Sequence, residues 1–161
     1  MNEVRIGLGY DVHAFAEGRR LVLGGVAIDH PLGLAGHSDA DVLVHALMDA
    51  ILGAMREGDI GKLFPDTDER YAGISSVELL DRVVHLMRDR GYRLLDADMV
   101  LVLEEPRIAP YRDAMRERIA HALSVPVGSV GIKATTTEGL GFEGRKEGVA
   151  AQAVVLLERQ V

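Results

Sequence analysis

The sequence VAAQAVVLL, residues 149–157, decides the fold. Its residues are apolar at odd and even positions alike, which predicts a strand from Gly148 to Glu158 with both faces covered. Helices on one side of a sheet cover only one of these faces. The other face needs a helix of the same chain or the sheet of a second copy, and the residues alone leave both alternatives open.

Strands and helices alternate along the rest of the chain without a linker-like break. The apolar patterns, glycines and prolines predict helices over 39–56, 76–90 and 110–123 and strands over 4–13, 19–28, 98–103 and 130–134. We expect Ser75 or Ser76 to cap the second helix and Gly91 to end it. A loop with a Pro-Asp-Thr-Asp turn spans 58–73. The prediction is one α/β (α+β) domain over residues 1–161.

Composition excludes several classes of protein. The chain has 161 residues, a net charge of -7 and no cysteine, which rules out disulfides, thiolate zinc sites and cysteine nucleophiles. An acidic chain without a lysine- and arginine-rich run is not expected to bind nucleic acid. The longest stretch without charged residues, Ile119 to Ile132, is shorter than the ~20 residues of a membrane-spanning helix. Because the N-terminus has no signal-like apolar core, we expect a cytoplasmic protein without a membrane span.

A metal site is indicated by two neighbouring patterns. Asp11 and His13 are two apart at the end of the first predicted strand, so they share a face as half a zinc site or as a plain Asp–His hydrogen bond. The first predicted helix is apolar nearly all round except for Asp41, His45 and Asp49, and a buried polar stripe needs partners. His45 beside Asp11 and His13 gives three ligands with a fourth position open, as in a catalytic zinc site. Asp41 or Asp49 is expected to hold the other ring nitrogen of His45.

Two further segments suit anions. Residues 36–39 precede the first helix with Ser38 or Asp39 as N-cap, and the free N–H groups of a helix start favour an anion beside His37; an ordinary cap is the alternative. The segment KATTTEGLGFEGR, residues 133–145, offers three hydroxyls and backbone N–H groups at a strand end, which suit phosphate oxygens, while Glu138 suits a hard divalent cation. Threonine runs are also simply good strand formers.

Four segments read together resemble the 2-C-methyl-D-erythritol 2,4-cyclodiphosphate synthase family of the non-mevalonate isoprenoid pathway. They are GYDVH at 9–13, HSDAD at 37–41 with His45 four residues beyond, GDIGKLFPDTD at 58–68 and KATTTEGLGF at 133–142. Each segment alone is a weak signal, but their order and spacing are specific. The resemblance covers essentially the whole chain.

The resemblance implies a phosphorus-oxygen lyase that converts 4-diphosphocytidyl-2-C-methyl-D-erythritol 2-phosphate to the cyclic diphosphate and CMP. It implies Zn²⁺ held by Asp11, His13 and His45, and Mg²⁺ or Mn²⁺ held by Glu138. His37 and Thr136 match the positions that stabilise the transition state. The implied substrate contacts are Asp11, His13, Ser38, Asp59, Ile60, Gly61, Phe64, Pro65, Asp66, Thr67 and Asp68, then Leu103, Pro106, Arg107, Ile108, Ala109, Thr135, Thr137 and Glu138 toward the cytidine diphosphate, with Phe142 and Arg145.

The resemblance also implies a homotrimer, with mixed sheets that carry helices on one face and pack around a threefold axis, and with active sites between adjacent subunits. One departure lies in the cytidine segment, where Glu104 and Glu105 precede Pro106 and Arg107 replaces the commoner lysine. Arg107 keeps the positive charge, so we expect the change to be tolerated. Two other functions stay open from the residues: a metal-dependent phosphohydrolase, and a trimer that binds phosphometabolites or isoprenoids without catalysis.

Overall fold

The computed structural model describes residues 3–160. Seven strands and five α-helices lie in this part of the chain, with three short 3-10 turns. The strands are β1 (Val4–Ala16), β2 (Leu21–Leu23), β3 (Val26–Ile28), β4 (Gly33–Leu34), β5 (Tyr92–Val102), β6 (Val130–Thr135) and β7 (Gly148–Arg159). The helices are α1 (Val42–Met55), α2 (Ile60–Leu63), α3 (Ser76–Asp89), α4 (Arg112–Leu123) and α5 (Gly141–Gly144).

Five of the strands form one mixed sheet in the order β4-β1-β7-β5-β6. Strand β7 lies in the middle and pairs antiparallel with both β1 and β5, whereas β5 and β6 run parallel. This confirms the predicted last strand, which begins at Gly148 and pairs along nearly its whole length. The mixed α+β architecture with helices on one face is also confirmed.

Helix α1 packs against β1 more closely than ordinary side chains allow. A Cβ atom on Gly7 would lie 1.8 Å from the carbonyl oxygen of Ala50, and one on Gly9 would lie 1.8 Å from that of Ala46. Only glycine permits such a backbone approach. The same face of β1 carries Asp11 and His13 further along, because side chains two apart share a face. The close approach therefore brings α1 within reach of both side chains.

The opposite face of the sheet is apolar and open. Ile6, Leu8 and Tyr10 on β1 are 65%, 68% and 54% exposed, and Val154 and Leu156 on β7 lie on the same face. Within residues 3–160 no helix covers this face. The alternative that a helix of the same chain covers this second face of the last strand is therefore wrong for the described part of the chain.

Several predicted boundaries differ from the structure. The predicted strand over 19–28 is wrong: it is the β2–β3 hairpin, and Gly24 and Gly25 at its turn have φ of +59° and +73°. The strand predicted from Asp98 begins at Tyr92. The predicted loop over 58–73 contains α2 and a 3-10 turn, whereas the helix over 76–89, with Ser75 before it, agrees with the prediction.

The N-cap of α1 also differs from the prediction. It is Asp41, whose side chain accepts from the Val44 N–H, rather than Ser38 or Asp39. The helix start therefore lies beyond His37, and its free N–H groups do not form the expected anion site beside that residue. No helix among the described residues has the length and apolar character that a membrane span requires.

Candidate active site and metal centre

A cleft of about 410 Å³ opens beside the start of α1. Ten of the predicted site residues line it, and five of them are called the cleft group here: Asp11, His13, His37, Ser38 and His45. The opposite wall comes from the start of α2 and the turn after it, and its predicted members are Ile60, Gly61, Phe64, Pro65 and Asp66. The structure thus brings two of the four recognised segments, and part of a third, to one cavity.

Three side chains of the cleft group converge on one point. The Oδ2 atom of Asp11 lies 2.9 Å from Nε2 of His13 and 3.1 Å from Nδ1 of His45, and the two ring nitrogens are 3.1 Å apart. Asp11 and His13 come from β1, whereas His45, buried and 8% exposed, comes from α1. The predicted convergence of these residues is confirmed.

The hydrogen-bond partners fix which nitrogen of each imidazole carries its proton. Nδ1 of His13 lies 2.6 Å from the carbonyl oxygen of Ala35, which only accepts, so Nδ1 donates and Nε2 keeps its lone pair. Nε2 of His45 lies 2.9 Å from the hydroxyl of Ser76, which in turn donates to the carboxylate of Asp39. The Ser76 oxygen therefore accepts from His45, and Nδ1 of His45 keeps its lone pair.

In the neutral rings these two lone pairs face each other and the Asp11 carboxylate. One carboxylate and two imidazoles, with ligand atoms all within 4.8 Å of one another, are a donor set that suits zinc with a fourth position left open. Metal-ligating histidines usually donate the N–H of their other ring nitrogen to such a hydrogen-bond partner, which fixes the orientation of the ring. The donor set therefore fits a divalent metal ion.

The electrostatics agree with a cation at this point. Burial alone would raise the pKa of Asp11, but its hydrogen bonds to His13 and His45 hold that pKa well below the usual range. Burial alone would lower the pKa of His13, but the Asp11 carboxylate raises it above the ordinary value. The cluster attracts positive charge, and a proton on His13 takes that place when no metal is bound.

The predicted support of His45 by Asp41 or Asp49 is wrong. Asp41 is fully buried and accepts from the backbone N–H groups of Gly24, Gly25 and Val44 at 2.9, 2.7 and 3.2 Å. Burial and the nearby Asp39 charge raise the pKa of Asp41 to about 6. Asp49 accepts from the Ile60 N–H at 2.8 Å and so holds the start of α2. Both carboxylates bind backbone N–H groups, of the hairpin turn and α1 in one case and of α2 in the other.

Three further predicted residues near the cleft have defined hydrogen-bond partners. His37 donates from Nε2 to the carbonyl of Asp68 at 3.0 Å. Asp59 caps α2 by accepting from the Lys62 N–H at 2.9 Å. Asp68 pairs with Arg70, whose hydrogen bonds lower the pKa of Asp68 to about 2. Asp59, Thr67 and Asp68 do not line the cavity within the described residues.

A second set of predicted residues lies where β5 and β6 end, and is called the strand-end group here. It contains Leu103, Thr135, Thr136, Thr137 and Glu138. Leu103 donates to the carbonyl of Thr135 at 3.0 Å, and Glu138 donates its N–H to the Thr136 hydroxyl at 3.2 Å. Strand β6 ends at Thr135, one residue after the predicted end, so the other two threonines lie beyond it. None of these residues lines the cleft among those described.

The residues around the strand-end group have defined partners. Glu104 accepts from the N–H groups of Thr137 and Gly139 at 3.1 and 3.3 Å, so its carboxylate is turned toward this loop. Glu105 pairs with Lys146 and Arg145 with Glu147. Pro106, Arg107, Ile108 and Ala109 link β5 to α4, and Phe142 lies in α5.

Sequence reasoning missed the roles of Ser76, Asp39 and Arg19. Ser76 had a signal as a small polar residue at a predicted helix start, but that pattern indicates a cap rather than a contact with His45. Arg19 donates to the carbonyls of Gly36 and Ser38, and a lone arginine in a turn carries no signal for such a contact.

Comparisons with known proteins agree with the fold and the site. The model of the YgbB family matches residues 4–158. A 2-C-methyl-D-erythritol 2,4-cyclodiphosphate synthase of Syntrophobacter fumaroxidans is 61% identical over 154 residues, which cover 96% of this chain and 97% of that protein. A structure of 2C-methyl-D-erythritol-2,4-cyclodiphosphate synthase in a CDP-bound form has a TM-score of 0.87 and 43% identity and covers 95% of this chain and 99% of that one.

A longer protein is similar as well. The structure of the bifunctional IspDF from Campylobacter jejuni has a TM-score of 0.95 and 45% identity, covering 99% of this chain and 43% of that protein. The chain therefore belongs to the YgbB family, the family of the 2-C-methyl-D-erythritol 2,4-cyclodiphosphate synthases.

Proposed function

We propose that this chain converts 4-diphosphocytidyl-2-C-methyl-D-erythritol 2-phosphate to 2-C-methyl-D-erythritol 2,4-cyclodiphosphate and CMP. An oxygen of the 2-phosphate attacks the β-phosphorus of the same molecule. The bond from that phosphorus to the oxygen bridging the α-phosphate breaks, and CMP leaves with this oxygen. No water is consumed. The observation that carries the proposal is the convergence of one carboxylate and two imidazole nitrogens in a cleft.

The cleft group has two tasks in this reaction. Asp11, His13 and His45 would hold Zn²⁺, which when bound supplies a Lewis acid for a phosphate oxygen. His37 is held at the same cleft by its bond to the Asp68 carbonyl, so its ring keeps a fixed orientation toward the substrate. Fixed positions matter here because like-charged phosphates must be brought together. Loss of zinc from His45→Ala, measured by metal analysis, would support this assignment.

Glu138 would hold Mg²⁺ or Mn²⁺ in the strand-end group. Its side chain is exposed, and among the described residues it belongs to no group of three or more metal-ligating side chains. A single carboxylate fits magnesium, which keeps several waters and takes substrate phosphates as its other ligands. We therefore assign to Glu138 a weak site that fills together with the substrate, and to Thr136 a hydroxyl contact with the reacting phosphates.

The cleft group and the strand-end group would meet between adjacent subunits of a homotrimer. On one chain, β7 and β5 separate β1 from β6, which is three strand spacings or about 14 Å. The open apolar face around Leu8 and Tyr10 supports contact between sheets of different subunits. We assign the remaining substrate contacts to Ser38, residues 59–61 and 64–68, residues 103 and 106–109, Thr135, Thr137, Phe142 and Arg145.

A shared site predicts complementation between inactive variants. His45→Ala removes the cleft group's metal, and Glu138→Gln removes the charge of the strand-end group. Mixed trimers of the two variants would contain some sites with both groups intact, so activity should return on subunit exchange. A complete site within each chain would give no recovery. One domain over residues 1–161 and a cytoplasmic location stay predictions.

Phosphorus NMR of the cytidylated substrate during turnover tests the reaction itself. We expect signals of the cyclic diphosphate and of CMP to grow together, with no orthophosphate and no open-chain diphosphate. Water-derived products would instead identify a metal-dependent phosphohydrolase. Binding without turnover, in protein with a full complement of zinc and added magnesium, would contradict catalysis altogether.

A further inference from the structure

The loop that carries His37 has no regular secondary structure, yet its backbone is tightly bonded. Arg19 donates from Nη1 to the carbonyl of Gly36 at 2.9 Å and from Nη2 to that of Ser38 at 2.6 Å. The N–H of Gly73 donates to the carbonyl between them, that of His37, at 2.8 Å. Three consecutive carbonyls are therefore held, two of them by one side chain.

Arginine is suited to this contact. Its guanidinium is planar and presents donors in a fixed fork, so two carbonyls bound at once set both the distance and the direction of the backbone between them. Within residues 3–160, Arg19 forms no ion pair with a carboxylate, and both of its described hydrogen bonds go to this loop. The side chain is half-buried, and its charge strengthens both hydrogen bonds to the carbonyl oxygens.

We propose that Arg19 is a positioning residue that holds His37 at the cleft. The inference rests on the proposed function in one respect, that the ring of His37 acts on the substrate. Arg19 touches neither substrate nor metal ligand side chain. It fixes the peptide units that precede His37 and follow Ser38, while the Asp68 carbonyl fixes the far end of the ring at 3.0 Å. Without Arg19, the ring would keep its hydrogen bond to the Asp68 carbonyl, but the backbone around His37 would be held less firmly.

The neighbouring Arg20 provides a matched control. It is exposed and forms no hydrogen bond or ion pair among the described residues, so Arg20→Met removes the same charge from the same turn without touching the loop. Arg19→Met removes both bonds to the loop. Arg19→Lys keeps the charge but has a single ammonium group, which cannot reproduce the planar fork.

The experiment measures kcat, KM, zinc content and the NMR signals of the His37 ring in these variants. We expect Arg19→Met to lower kcat by about tenfold or more, the scale of misplacing one group in an oriented site. KM should stay within about threefold, because substrate binding is shared among many contacts. Zinc should stay at one ion per chain, since its ligands lie on β1 and α1. Arg19→Lys should recover part of kcat, and Arg20→Met should match the unsubstituted protein.

The NMR signals decide the proposal independently of activity. The ring resonances of His37 should shift or broaden in Arg19→Met and stay unchanged in Arg20→Met. Equal behaviour of the two methionine variants in kcat and in the His37 signals would overturn the proposal. Should the unsubstituted protein have no cyclase activity, the proposed function fails, and the His37 signals alone decide whether Arg19 holds the loop. If Arg19→Met does not fold, the same comparison between Arg19→Lys and Arg20→Met decides it.

Discussion

Removing the Ser76 hydroxyl tests whether the proton on His45 is fixed by its partner. Ser76 is fully buried, and its oxygen lies 2.9 Å from Nε2 of His45 while its proton goes to Asp39. Ser76→Ala removes the acceptor that keeps the proton on Nε2 and the lone pair on Nδ1. The fold should persist, because Asp39 still accepts from the backbone N–H groups of Asp41 and residue 76 at 3.1 Å each.

The size of the effect follows from what remains around the ring. Loss of a group that supports a metal-ligating histidine costs about tenfold to 100-fold in metal affinity. The hydroxyl of Ser38 lies 3.1 Å from the same Nε2 and takes over part of the role, so we expect the lower end of that range. The expected loss is about tenfold in zinc affinity, or about 1.4 kcal/mol of binding free energy. Removing both hydroxyls should approach 100-fold.

Zinc affinity is measured by competition with a chelating dye at one neutral pH, with thermal unfolding of the metal-free proteins as the check on folding. Ser75→Ala is the control, because this serine precedes the same helix and its side chain makes no capping hydrogen bond. The role assigned to the Ser76 hydroxyl is refuted if Ser76→Ala folds normally and binds zinc as tightly as Ser75→Ala. A loss of affinity in both variants would point to the helix start instead of the hydroxyl.

Three further predictions concern pH, the second metal and assembly. The Asp11 carboxylate raises the pKa of His13 above its ordinary 6.5 despite burial, and zinc binds only the unprotonated ring nitrogen. As the pH drops, zinc affinity should therefore begin to fall at a pH above 6.5, by about tenfold per pH unit for each proton displaced. A zinc affinity that does not change with pH contradicts this. Glu138→Gln should lower the rate of CMP release by about 100-fold and leave the zinc content unchanged, whereas the control Glu105→Gln should stay active. Near-normal turnover of Glu138→Gln at saturating magnesium would argue against a mechanism with two cations. Sedimentation equilibrium should give a trimer and Leu8→Asp should dissociate it, whereas a particle near 17.4 kDa for the unsubstituted protein contradicts the assembly.

The convergence of Asp11, His13 and His45 could be predicted because each lies in a regular element with a fixed period. Asp11 and His13 share a strand face, and His45 was the only histidine in the apolar helix. The partners of the ligands could not be predicted in the same way. Ser76 belongs to a different helix, 31 residues from His45 along the chain, and only the packing of α1 against α3 brings the two together. Patterns within one element do not show what a neighbouring element contributes.

The ends of strands and helices were predicted incorrectly where the local pattern of the sequence breaks. Strand β5 pairs with β7 from Tyr92, but its register shifts between Leu94 and Asp96, so Leu95 is an extra residue on this strand. Such a bulge reverses the alternation of apolar and polar positions, and the first half of the strand no longer reads as one strand with the second. At the start of α1, the short polar side chains before the helix are all suitable caps, and the backbone alone selects Asp41.

Strand β1 connects the fold, the candidate metal site and the open apolar face through a single period of two. Its inward positions begin with Gly7 and Gly9, which let the backbone of α1 approach, and continue with Asp11 and His13, which then face that helix. Its outward positions form the open apolar face, and they include Ile6, Leu8 and Tyr10. A register slip of one residue would place the large apolar side chains under α1 and the metal ligands on the open face. The strand therefore tolerates no insertion between residues 6 and 13, and the residues that decide how this chain packs also encode the proposed contact between subunits.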